Sequence, residues 1–132
     1  MISTDIGTDI SAGISTDFGT GISAGGVTAV TDADFGAQVL AAGQPVLVEF
    51  SAAWCGPCRQ IAPVLKAVAA EHADRLKVVE IDADTNPETA ARYGVLSLPT
   101  LLVFDGGEPV LSLTGARPKR KLLQELAGVL GS

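Results

Sequence analysis

The sequence predicts an α/β domain, a central mixed β-sheet with helices on both faces, preceded by a low-complexity N-terminal segment. Apolar runs that read as strands alternate with segments carrying apolar residues at helical spacing, which implies parallel pairing through crossovers. Two later runs are separated only by Asp105-Gly106-Gly107-Glu108, a hairpin signal that adds antiparallel strands. The first 26 residues share neither pattern.

Residues 1–26 form a tandem repeat: Ile2–Gly13 returns as Ile14–Gly25, differing only where Ile6 becomes Phe18 and Asp9 becomes Gly21. Even positions from Ile2 to Ala24 are Ile, Thr, Ala or Phe and odd positions from Ser3 to Gly25 are Ser, Asp or Gly, a strict period of two that a helix does not produce. Composition predicts a disordered tail. The alternation also fits an amphipathic strand that pairs with another chain, because so few repeats cannot bury a face alone.

The folded domain is expected over residues 27–132. Val27–Val30 reads as a short strand. Thr31 and Asp34 have the spacing of a capping box, and Phe35, Val39 and Leu40 supply the stripe of a helix that Gly43 ends. Pro45 opens the apolar strand Val46–Phe50, and a helix then runs from the cysteines to about His72, with Pro63 expected to kink it. Leu76–Asp82 reads as a strand, Asn86-Pro87-Glu88 as the cap of a short helix ending at Gly94, and Pro118 as the start of a final helix with Leu122, Leu123, Leu126 and Leu130 on one face. Tyr93, Phe35, Phe50 and Phe104 are assigned to the core and His72 to solvent.

Both cysteines lie in Trp54-Cys55-Gly56-Pro57-Cys58, directly after the strand Val46–Phe50. Cys55 falls at a helix N-terminus, where unsatisfied N–H groups and the dipole favour a thiolate, and Arg59 adds positive charge one turn on. An ordinary cysteine is only about 3% thiolate at pH 7, so this position sharpens a nucleophile. Cys58, one turn further in, is expected to be more recessed and to resolve a mixed disulfide formed on Cys55. A structural staple is the weaker reading, since so short a loop contributes only ~2 kcal/mol before strain. A closed zinc or iron–sulfur site needs about four ligands, and the chain offers two thiols and one histidine. Trp54 is expected at the rim of a docking surface.

The formal charge of −6 argues against binding a nucleic-acid backbone. No apolar run reaches the roughly 18–20 residues of a membrane span, and no secretory or transit signal is apparent, so no membrane partner and a cytoplasmic location are expected.

The series Trp54-Cys55-Gly56-Pro57-Cys58, Ala62-Pro63, Asp82-Ala83-Asp84, Asn86-Pro87, Tyr93-Gly94-Val95, Leu98-Pro99-Thr100 and Gly115-Ala116 resembles the thioredoxin family, from about Val27 to the C-terminus. The resemblance implies the thioredoxin fold and a general protein disulfide reductase, a monomer with no bound cofactor that takes electrons from NADPH through thioredoxin reductase. It implies that Cys55 attacks and Cys58 resolves, the two forming the redox-active disulfide, and that Pro99 is cis. It also implies a docking groove for disulfide-containing protein substrates, made by Trp54, Gly56, Pro57, Leu98, Pro99, Gly115 and Ala116, with substrate pairing to the Leu98 backbone. The family usually has aspartate at Glu49, tryptophan in many bacterial members at Ser51, and lysine in some members at Glu80.

Glu49 stands in mid-strand with no polar alternation around it, which predicts burial and a raised pKa. Glu80 is expected on the neighbouring parallel strand, and a buried carboxylate of this kind can relay the Cys58 proton. A dedicated oxidoreductase serving one partner and a binding module with an incidental dithiol are the rival readings.

Overall fold

A computed structural model describes residues 26–131; the tandem repeat and its expected disorder lie outside the described residues. Five strands form one sheet in the order β1-β3-β2-β4-β5, with β1 Val27–Val30, β2 Val46–Ser51, β3 Lys77–Asp82, β4 Thr100–Asp105 and β5 Glu108–Thr114. β3 pairs parallel with both β1 and β2, whereas β4 runs antiparallel to β2 and to β5. This is the expected mixed sheet. The helices are α1 Gly56–Glu71, α2 Pro87–Arg92 and α3 Lys119–Leu130.

β2 is central and buried along its whole length, which explains a run with almost no polar residue. Alternation sends Leu47 to a core with Ile61, Leu65 and Val68 of α1 and Leu122 and Leu126 of α3. Val46, Val48 and Phe50 go to the opposite core, with Phe35, Val39 and Phe104. There the rings of Phe35, Tyr93 and Phe104 form a mutual cluster with centroids 5.0–5.9 Å apart. The hairpin between β4 and β5 turns on Gly106 and Gly107, with φ of 62° and 84°, a pair of left-handed positions that only glycine adopts freely. α1 continues through Pro63.

The sequence reading needs correction at three places. The helix expected before Gly43 is a single π-helical turn, Gly36–Leu40, closed by the Ala41 N–H donating to the Gly36 carbonyl. Its capping box does form: the Thr31 N–H donates to Asp34 Oδ1 at 2.6 Å and the Asp34 N–H to the Thr31 hydroxyl at 3.3 Å. Second, the Asn86 side chain does not cap α2. The carboxylate of Asp32 does, accepting from the Glu88 and Thr89 N–H groups at 3.1 and 2.9 Å and from the Thr89 hydroxyl at 2.6 Å. Asn86 instead accepts the Asp32 N–H at 2.8 Å, stitching the end of β1 to the start of α2. Third, His72 is half-buried rather than solvated, and its Nδ1 is buried without a hydrogen-bond partner among the described residues.

Candidate active site

β2 ends at Ser51, the chain crosses Ala52–Trp54, and Cys55 becomes the N-cap of α1 in an extended conformation. The Cys55 N–H donates to the Ala52 carbonyl at 3.1 Å, and the Cys55 sulfur accepts the Cys58 N–H at 3.2 Å. A capping position normally filled by a serine or aspartate oxygen is thus occupied by sulfur, which places it at the positive end of a sixteen-residue helix. Cys55 and Cys58 are joined as a disulfide with their Cα atoms 5.3 Å apart. The expectation that Cys55 is open and Cys58 recessed does not hold in this oxidised form: the residues are 2% and 4% exposed, because the bond and the packing of Leu98 cover both. The Arg59 guanidinium turns back over the preceding loop and donates to the Ala53 carbonyl at 2.9 Å.

The predicted groove residues converge around this pair. Trp54 is 67% exposed, and its indole N–H donates to Asp84 Oδ2 at 2.6 Å, which fixes the ring at the rim. Leu98 packs on Ala52, Cys55 and Cys58, and the Leu98–Pro99 peptide bond is cis. The Gly115 N–H donates to the Pro99 carbonyl at 2.8 Å, bringing the end of β5, and Ala116 after it, to the same rim. Gly56 and Pro57 are the first two residues of α1, Pro57 being exposed. Beside them a shallow cavity of about 390 Å³ has walls from Trp54, Pro87, Ala90, Val95, Leu96 and Leu98.

Glu49 is 2% exposed and sits in direct register with Glu80 of β3. Burial, and then the Glu80 charge, push its pKa from 4.5 to about 8. Its Oε2 is buried with no hydrogen-bond partner among the described residues. Among those residues no group of three or more His, Cys, Asp or Glu side chains is arranged to hold a metal, and no helix is long and apolar enough to cross a membrane.

The sequence model of thioredoxin matches residues 26–128, nearly the whole of the domain just described. The chain belongs to the thioredoxin family. The thioredoxin of Mycobacterium tuberculosis is 52% identical over 101 residues, which cover 76% of this chain and 87% of that protein. The thioredoxin of Streptomyces clavuligerus is 55% identical over 95 residues, 72% of this chain and 88% of that protein. A bifunctional thioredoxin reductase/thioredoxin of Mycobacterium leprae is 50% identical over 106 residues, 80% of this chain and 23% of that protein. As a member of the thioredoxin family the protein is a protein-disulfide oxidoreductase, reducing disulfides by thiol–disulfide exchange through the Cys55–Cys58 pair.

Sequence reasoning missed one residue that shapes this thioredoxin site and one that caps the neighbouring helix α2. Asp84 orients Trp54, and is itself positioned in a turn where its N–H and that of Thr85 donate to Asp82 Oδ1 at 2.9 and 3.2 Å. The motif Asp82-Ala83-Asp84 marked the segment, but only the fold brings it to the tryptophan. Asp32 lies too far along the chain from α2 for any local pattern to connect them.

Proposed function

We propose that the protein is a general reductant of disulfide-containing proteins in which Cys55 attacks, Cys58 resolves and Glu49 accepts the proton that Cys58 loses. The assignment of Cys55 rests on one observation above the others: its sulfur accepts a hydrogen bond from the Cys58 N–H at the start of α1. Reduction uncovers a thiolate in that position, and the same N–H and dipole stabilise it. The thiolate attacks one sulfur of a substrate disulfide and expels the other. Cys58 then loses its proton, attacks the Cys55 sulfur, and releases the second substrate thiolate as the Cys55–Cys58 bond re-forms. The burial and raised pKa of Glu49 support its role as the acceptor of the Cys58 proton.

In this reading substrates lie across Trp54, Gly56, Pro57, Leu98, Pro99, Gly115 and Ala116. The Leu98 backbone makes no hydrogen bond among the described residues, which supports its use as the pairing edge for an extended substrate segment. Main-chain pairing gives affinity with little side-chain selection, as a general reductase needs. Electrons come from NADPH through a flavoprotein thioredoxin reductase; the fused reductase/thioredoxin relative supports that partner. The protein works as a cytoplasmic monomer, and residues 1–26 are a tail outside the catalytic domain.

Insulin disulfide reduction tests the reading, first with dithiothreitol and then with NADPH and the host's reductase. Turnover in both assays is expected, and the chain lacking residues 2–26 should match the full chain. Absence of turnover in both assays would remove the proposal.

A further inference from the structure

Cations are few in this chain and unevenly placed: four of its nine Lys and Arg residues stand within residues 117–121, in a protein whose formal charge is −6. Three of the four, Lys119, Arg120 and Lys121, open α3, which has no acidic residue in its first turn and no side-chain cap. Cations there oppose the helix dipole, so the arrangement does not serve the stability of α3. Two of the four are paired, Arg117 with Glu125 at 2.8 Å and Lys119 with Glu71 at 2.7 Å. Arg120 and Lys121 are exposed, and their side chains have no hydrogen bond or ion pair among the described residues. With Pro118 and Gln124 they line a shallow depression of about 490 Å³.

This cationic surface is continuous with the docking rim. Arg117 also donates to the carbonyls of Thr114 and Gly115 at 2.5 and 3.1 Å, which ties the Gly115–Ala116 rim to the start of α3. Arg120 follows Ala116 by four residues, at most about 14 Å of extended chain, so a bound segment that crosses the rim reaches it within about four residues of its own. The Trp54 flank of the groove has the opposite sign, with Asp84 bonded to the indole and Glu88 in the first turn of α2, both exposed.

We propose that Arg120 and Lys121 are specificity-determining residues that receive acidic side chains of protein substrates, so that disulfides with aspartate or glutamate on the side leaving the groove over α3 are reduced in preference. The inference rests on the docking groove above. It adds a selection by charge to main-chain pairing, which by itself does not distinguish side chains. An acidic segment lying the other way meets Asp84 and Glu88 and is disfavoured, so the two flanks also select the direction in which a charged segment binds. Attraction between exposed charges acts mainly on encounter, and with a Debye length of about 10 Å at 0.1 M salt it fades as salt rises.

The test is the second-order rate constant with which the pre-reduced full chain attacks peptide disulfides alike except for two glutamates or two glutamines, placed a few residues to one side or the other of the attacked cysteine. At low salt one glutamate placement should react about three- to tenfold faster than its glutamine counterpart and the opposite placement no faster, with the advantage gone in 0.3 M salt. The double variant Arg120→Gln/Lys121→Gln should bring the ratio to within about twofold of one. Lys66→Gln, which removes an exposed cation from α1, should keep it. A ratio near one in the parent, or a preference that survives in the double variant, overturns the proposal while leaving the reductase reading standing. An equal loss in Lys66→Gln would trace the preference to net charge and overturn it as well. Pelleting of the parent but not the double variant with anionic phospholipid vesicles, without a peptide preference, would assign the cations to a membrane instead. Failure to reduce any of the peptides would remove the reductase reading and this inference together.

Discussion

α1 and α2 start in the same part of the molecule, after neighbouring parallel strands, and solve the problem of unpaired N–H groups in opposite ways. At α2 a permanent anion fills the site: Asp32 reaches across from the end of β1 to accept from Glu88 and Thr89. Partial burial works against that carboxylate, yet the Thr89 hydroxyl, the two N–H groups and Arg92 outweigh it and hold Asp32 below its ordinary pKa. At α1 there is no acid in the first turn, and the donor meets a sulfur whose negative charge exists only after reduction. The physics at the two ends is the same. What differs is whether the anion is fixed or conditional, and that separates a structural joint from a reactive centre.

The largest expected effect breaks the α1 end alone. Cys55→Ser should abolish substrate attack, a loss of more than about 10³-fold in turnover, whereas Cys58→Ser should accumulate a mixed disulfide visible by mass spectrometry. Trapped complexes on Cys55→Ser would reverse the two roles and undo the contrast as drawn.

Next comes Glu49, buried on the face of β2 that α1 covers. Its folded pKa of about 8 lies above the ordinary 4.5, so the folded state keeps a proton that the unfolded chain releases. Stability should therefore fall as pH rises from about 4.5 to 8. Glu49→Gln removes that slope and should stabilise the fold at pH 7 by about 2–4 kcal/mol, read by urea unfolding across the range. It should also slow reduction near neutral pH. Equal pH slopes for parent and variant would show that the carboxylate ionises freely in the folded protein.

The converse experiment breaks the α2 end. Asp32→Ala removes both N–H contacts and the Thr89 bond, and should lower the thermal midpoint by a few degrees, with Asp32→Asn intermediate. Because Asp32 is held below its ordinary pKa, its contribution is present above the unfolded carboxylate's pKa and fades as pH falls through the folded value. Reductase turnover at 25 °C should stay within about twofold of the parent. A tenfold loss would show that the two helix starts are coupled.

The smallest effect lies where the two ends touch, at the bond from Trp54 ahead of α1 to Asp84 ahead of α2. Trp54→Phe keeps the apolar face and deletes the donor, so KM for protein disulfides should rise about two- to fivefold with kcat little changed. A fall in kcat alone would assign Trp54 to the chemistry instead of docking.

The strands, the dithiol at a helix start and the buried Glu49 were legible in the chain because each depends on residues near in sequence: period, capping spacing, a charge inside an apolar run. The hairpin was equally readable, since two adjacent glycines specify the turn. The first helix was not. Its stripe and its capping box are both real, but the chain closes one wide turn and stops at Ala41, and no local preference distinguishes that from an α-helix. The cap of α2 was misassigned to Asn86 for a related reason: capping spacing identifies a donor site, while any carboxylate that the fold delivers can fill it. The similar burial of the two cysteines also depends on Leu98, more than thirty residues away in sequence, packing against the pair. Local chemistry along the chain determined that there is a redox pair, where it sits and what sharpens it. Only the tertiary structure decided how distant groups meet it, Asp84 bonding Trp54 and Leu98 covering both sulfurs, because each contact joins segments that approach only when the sheet has assembled.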